Sequence, residues 1–104
     1  MSSRLESLLE FLKHEPNDPF THYAIALEYA SAKDYKTAAA KLEELLVLDP
    51  DYVAAYQQLG SVYVQLDRDS DAVRILEQGM EAAQRAGDTH AVREMQDAID
   101  DLED

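Results

Sequence analysis

The sequence predicts an all-α fold of paired antiparallel helices, and three observations carry that prediction. First, the chain matches itself when shifted by 34 places: Pro16 falls on Pro50, Tyr29 on Tyr63, Ala38 on Ala72, Leu42 on Leu76 and Glu43 on Glu77. The similar pairs Ile25 with Leu59, Ala26 with Gly60 and Leu46 with Met80 join them. These positions are spaced and mostly apolar, as a repeated packing unit requires. Second, proline and glycine fall near expected helix ends, Gly60 and Gly79 excepted. Third, no segment alternates strictly between apolar and polar residues, so no strand is expected.

Each element follows from local signals. At the front, Ser3 and Glu6 form a capping box, and Leu5, Leu8, Leu9 and Leu12 share one face of a helix that ends before Pro16. Asp18 followed by Pro19 caps the next helix, A1, which runs to about Ser31. Asp34 caps B1, which Asp49-Pro50 stops near Leu48. Asp51 is expected to cap A2, ending near Gln65, and residues 67–70 form the turn into B2. B2 continues to about Ala86, and Gly87 suits a left-handed C-terminal cap. Asp88 caps the last helix, with Ala91, Val92, Met95, Ile99 and Leu102 as its apolar stripe. Residues 94–104 hold six carboxylates and no base, so the outer face of that helix is polar, as the end of a stacked array must be.

Composition bounds the function. A chain of 104 residues is one domain's worth, and its hydrophobic share of 46% is that of a globular protein. The absence of cysteine excludes a disulfide scaffold, a thiolate metal site and a cysteine nucleophile. No run of 18 apolar residues is present. The start has no apolar core behind a basic head, so a cytoplasmic place is expected. Twenty-two acids against nine bases leave a net charge of −13, a field that repels phosphate backbones and anionic lipid. Nucleic acid and membrane are therefore not the expected partners.

These spacings resemble the tetratricopeptide repeat (TPR). The second unit carries Tyr56, Leu59-Gly60, Tyr63, Ala72, Leu76 and Gly79; the first carries Ile25-Ala26, Tyr29, Asp34-Tyr35, Ala38, Leu42, Leu45 and Leu48-Asp49-Pro50. The pattern has a packing logic: Ala26, Gly60, Ala38, Ala72 and Gly79 let backbones approach, and Tyr29, Tyr63, Leu42 and Leu76 fill the remaining space. The resemblance implies a right-handed α-solenoid in a single domain spanning residues 1–104. Its parts are a packing helix at 3–15, repeats at 19–52 and 53–86, and a capping helix at 88–103. About three repeats are normally needed for stability, so the flanking helices must stand in for missing neighbours. Two features depart from the family pattern: His22 stands where a large aromatic is common, and no proline ends B2.

Motifs for chemistry are weak. Asp67-Arg68-Asp69-Ser70-Asp71 starts like a calcium loop, but the sixth and twelfth places hold Ala72 and Gln78 rather than glycine and glutamate. His14, His22 and His90 have no second ligand at helical spacing. No nucleophile elbow, P-loop or dinucleotide fingerprint occurs. Neither enzymatic activity nor a metal or other cofactor is expected.

Binding is the expected function. By resemblance, the concave face is lined by A helices, through Phe20, Tyr23, Leu27, Ala30 and Ser31 in A1 and Ala54, Gln57, Ser61, Val64 and Gln65 in A2. On a helical wheel Phe20, Tyr23 and Leu27 share one face, while Ile25, Ala26 and Tyr29 belong to the core. A1 is thus apolar on two sides, and one side lacks a partner within its own unit. The expected partner is a peptide or helix of another protein, apolar or basic, held in the groove. Homodimerisation through the same face or the terminal helices is the alternative, and coverage by a flanking helix would leave neither. The resemblance also bears on acidic peptide tails. Positions that would grip a terminal carboxylate fall on Tyr23, Leu27, Gln58, Asp88 and Val92, and none is basic.

Overall fold

A computed structural model describes residues 3–104, and among them there are six helices and no strand. The helices are α1 (Ser3–His14), α2 (Pro19–Ser31), α3 (Tyr35–Leu48), α4 (Val53–Gln65), α5 (Asp69–Arg85) and α6 (Thr89–Glu103). Each packs on the next in chain order. The molecule measures 41 × 29 × 19 Å, and its smallest dimension is that of two helix layers, each about 10 Å thick. α2, α4 and α6 form one layer, and α1, α3 and α5 the other.

The caps are mostly where the sequence places them. The Thr21 amide donates to the Asp18 carboxylate (3.1 Å), that of Thr37 to Asp34 (3.3 Å) and that of Ala91 to Asp88 (3.0 Å). Three expectations are corrected. Ser3 is already helical, and the residue before it lies outside the described residues. Asp51 does not cap α4; Tyr52 holds that position without a side-chain bond. The Asp51 carboxylate instead accepts from Arg85 Nε and a terminal guanidinium nitrogen (3.3 and 3.0 Å), because α5 brings that cation alongside. The turn into the second B helix is also shorter than 67–70, since α5 already includes Asp69. Asp69 and Asp71 then sit in its first turn, where the helix dipole favours negative charge.

The 34-residue echo is written into the backbone as well. Asp34 N–H bonds Tyr29 O (2.9 Å) and Arg68 N–H bonds Tyr63 O (2.8 Å), while Lys33 and Asp67 both take positive φ, 63° and 59°. Asp88 N–H to Ala83 O (2.9 Å), with Gly87 at φ 72°, repeats the arrangement at the end of α5. All three are Schellman closures, which satisfy carbonyls that a helix end would orphan. His22 is explained in the same register. Its Nε2 lies 2.7 Å from the Pro16 carbonyl oxygen, and 34 places on the Tyr56 hydroxyl donates to the Pro50 carbonyl (2.6 Å). Histidine thus makes the tie that the aromatic makes in the next unit.

Two buried clusters meet on α4. One gathers Ala26, Ala38, Leu42, Leu45, Leu59 and Tyr63; the other gathers Tyr56, Leu76, Ala82, Ala83, Met95 and Ile99. The small residues mark close approach. A Cβ at Gly60 would stand 2.8 Å from Leu76 Cδ2, and one at Gly79 would stand 2.5 Å from Tyr56 Cβ and 2.6 Å from Met95 Sδ. Gly79 is therefore the point at which α4, α5 and α6 converge.

Candidate functional site

The A-layer helices meet differently at their two junctions. Between α2 and α4, the ring of Tyr23 leans on that of Tyr52, with centroids 5.1 Å apart and planes tilted by 40°. Burial pushes the Tyr23 hydroxyl above its ordinary pKa, and a side-chain hydrogen bond with Gln58 of α4 partly offsets this. Burial also raises the Tyr52 hydroxyl, and the neighbouring Tyr23 adds to the shift. This aromatic pair spans the α2–α4 junction.

Between α4 and α6 the surface opens into a cleft of about 360 Å³. α4 contributes Gln57, Gly60, Ser61 and Val64 to its lining. α6 contributes Glu94, Met95, Ala98, Asp101 and Leu102, and Leu76 of α5 reaches in from the core layer. Gly60 lets Leu76 come up close beneath α4, and the small side chains of Ser61 and Ala98 leave the space above Leu76 and Met95 open. The Gln57 amide donates to Glu94 Oε1 across the mouth (3.3 Å), and His90 Nε2 lies 3.2 Å from the same oxygen. α6 thus takes the place of a third A helix, although no proline precedes it.

Of the residues the sequence nominates, Gln57, Ser61 and Val64 come together in this cleft. Phe20 is 63% exposed and lies outside it, as do Ala54, Gln65 and the half-buried Tyr23 and Leu27. Ala30 is half-buried and Ser31 exposed, both outside it too. The whole α6 wall was missed. α5 is 17 residues long where α3 is 14, so the 34-residue shift no longer places α6 in register. A signal did exist: Glu94, Ala98 and Asp101 follow helical spacing beside the predicted apolar stripe.

A second arrangement lies near the start of α5. The Tyr63 hydroxyl donates to Glu43, and the Arg68 guanidinium sits 4.3 Å from the ring centroid while its Nε bonds Asp71 (2.9 Å). Burial first, and then the Glu43 bond, push the Tyr63 hydroxyl up to about 12. That is a stabilising clasp between α3, α4 and α5. Among the described residues no three histidine or carboxylate groups stand close enough to hold a metal ion, and no helix is long and apolar enough to cross a membrane.

Comparison with known proteins gives consistent findings. A tetratricopeptide repeat family model matches residues 29–99. A tetratricopeptide repeat domain protein from Salinibacter ruber, solved by NMR, is 43% identical, with a TM-score of 0.80, over 85% of this chain and 89% of its own. Protein BPP2914 from Bordetella parapertussis superposes with a TM-score of 0.85 at 26% identity, over 98% of this chain and 89% of its own. The TPR2B domain of yeast Sti1, in complex with pHsp70, reaches a TM-score of 0.89 at 17% identity, over 95% and 79%, which speaks to fold alone. No match was found among the curated proteins.

Proposed function

The chain belongs to the tetratricopeptide repeat family, and we propose that it works as an interaction module that holds a short segment of a partner protein in the α4–α6 cleft. The observation that carries this reading is the cleft itself, with buried Leu76 and Met95 beneath it and the polar groups Gln57 and Ser61 at its mouth. Apolar ground with a few placed hydrogen-bonding groups is the usual make-up of a site that takes a ligand. The fold serves this kind of work elsewhere, since the Sti1 TPR2B domain was solved in complex with pHsp70. Binding, rather than catalysis, is the proposed work. The repeats at 19–52 and 53–86 are its proposed units, and the cytoplasm its proposed place.

The test is capture of partners by the wild type and by Ser61→Tyr. Ser61 is exposed, so the ring enters the cleft and leaves the core intact. Partners retained by the wild type and lost by the variant support the groove; an identical set from both removes it. The second reading is a homodimer. It is favoured by Phe11 and Phe20, which are 49% and 63% exposed near the turn between α1 and α2. Sedimentation across a concentration series separates the two, since a dimer gains mass with concentration and a monomeric module does not.

A further inference from the structure

The α4–α6 cleft has ionisable side chains of one sign only. Glu94 and Asp101 stand on its α6 wall, and no lysine or arginine lines it. The two carboxylates are seven residues apart, which on a helix is nearly two full turns. They therefore share a face and lie about 10.5 Å apart along the axis. Between them Ala98 gives apolar ground, with Leu102 just past Asp101 and Val64 on the α4 wall. Residues 88–104 carry seven carboxylates and one arginine, so the surrounding field is negative too. The arginines at 68, 74 and 85 are each paired with an aspartate (Asp71, Asp71 and Asp51) and none lines the cleft. Glu94 Oε1 is met by the Gln57 amide (3.3 Å) and by His90 Nε2 (3.2 Å), and the carboxylate retains further acceptor positions for an incoming donor.

We infer that the cleft selects a cationic, extended segment in which two arginine or lysine residues three apart flank an apolar residue, one cation meeting Glu94 and the other Asp101. In a polyproline II conformation residues three apart lie on one side and about 9.3 Å apart, close to the carboxylate spacing. The apolar residue between them is turned about 120° away from the α6 wall, towards Leu76 and Met95 at the base of the cleft. The carboxylates supply orientation and speed of encounter, and the apolar ground supplies the rest of the affinity. A segment with acidic residues at those places meets like charge and is rejected. This inference rests on the groove reading and adds the chemistry of the partner to it.

The probe is the blocked peptide Gly-Arg-Leu-Pro-Arg-Gly, whose proline biases the leucine before it towards the extended form. Its control has glutamine for both arginines. Binding is followed by calorimetry to wild type, to Glu94→Gln/Asp101→Asn, to Ser61→Tyr, and to Glu10→Gln/Glu44→Gln, which removes the same charge elsewhere. The expected result is binding of the arginine peptide to wild type and the Glu10/Glu44 variant. A loss of at least about tenfold is expected for the Glu94/Asp101 variant and for the glutamine control, in line with charge-assisted bonds. Equal weakening by both double variants shows attraction to net charge alone and overturns the inference. Equal binding of both peptides, lost in Ser61→Tyr, overturns the inference while the groove reading stands. No binding of either peptide to wild type overturns the inference as well, and the groove reading is then judged by the capture experiment.

Discussion

Replacing Gly79 by alanine adds one methyl group at the place where three helices meet. The new Cβ would stand 2.5 Å from Tyr56 Cβ and 2.6 Å from Met95 Sδ, where ordinary carbon contacts are about 3.5–4.0 Å. Tyr56 Cβ is fixed to the α4 backbone, so no rotamer change moves it. Met95 is buried but borders the α4–α6 cleft, so its sulfur can shift, whereas the Tyr56 contact cannot be relieved in that way. Relief therefore requires α4 and α5 to separate by about 1 Å, loosening the cluster that also holds Leu76 and Ile99. Overpacking costs about 1–3 kcal/mol, and a clash with a backbone-anchored atom lies in the upper part of that range, about 2–3 kcal/mol. The backbone at Gly79 is ordinary helix, so alanine regains about 1 kcal/mol of helix propensity. The net expectation is a loss of about 1–2 kcal/mol. For a chain of this size that lowers Tm by roughly 5–15 °C. Gly60→Ala is the control. The three atoms nearest its Cβ all belong to the Leu76 side chain (Cδ2 at 2.8 Å, Cγ at 2.9 Å, Cδ1 at 3.3 Å), which can rotate where the backbone-anchored Tyr56 Cβ cannot. Its expected net change is within about 1 kcal/mol of zero, because the same propensity gain offsets a smaller clash. Thermal and urea melts of both variants give the comparison. A Gly79→Ala protein as stable as wild type, or a Gly60→Ala protein that loses more, would refute the convergence of α4, α5 and α6 at Gly79.

Three further outcomes are expected. Stability falls in alkali: the Tyr63 hydroxyl is raised to about 12 from 10.0, so the folded chain keeps a proton that the unfolded chain loses above pH 10. Stability from this group is intact below pH 10 and drains away as pH climbs towards 12. Urea melts at stepped pH should show the decline, and Tyr63→Phe should lessen it, the raised Tyr23, Tyr52 and Tyr56 hydroxyls leaving a smaller one. Added salt raises Tm, because screening weakens repulsion within a chain of net charge −13 more than it weakens exposed pairs such as Arg74 with Asp71. A Tm that drops between low salt and about 0.5 M sodium chloride, well past the screening range of exposed charges, would mean that specific pairs dominate. A peptide ending in Glu-Glu-Val-Asp does not bind: Tyr23, Leu27, Gln58, Asp88 and Val92 offer no cation, and the α4–α6 cleft carries Glu94 and Asp101. Micromolar affinity in calorimetry would contradict this.

What the sequence determined by itself is the local structure and its repetition. Helix ends at Ser31, Leu48 and Gln65 are legible because caps, prolines and Schellman turns act within a few residues of where they stand. The A–B core is legible because a repeated packing unit keeps the same sizes at the same places, as Ala38 and Ala72 do, both fully buried. Tertiary structure alone decided what depends on elements meeting. Asp51 reads as a cap in the chain, yet α4 begins one residue later with Tyr52 at the cap position, and α5 brings Arg85 beside the Asp51 carboxylate. Tyr23 reads as a groove residue, yet Tyr52 and Gln58 engage it. The cleft lies one junction further on, where Gln57 meets Glu94 across 37 residues of sequence. The longer α5 shifts α6 out of the repeat register, so the helical spacing of Glu94, Ala98 and Asp101 marks a face of α6 but does not say which helix it meets. That meeting arises only when α4 and α6 pack on the same face of α5, with the small side chains of Ser61 and Ala98 leaving the space between them open.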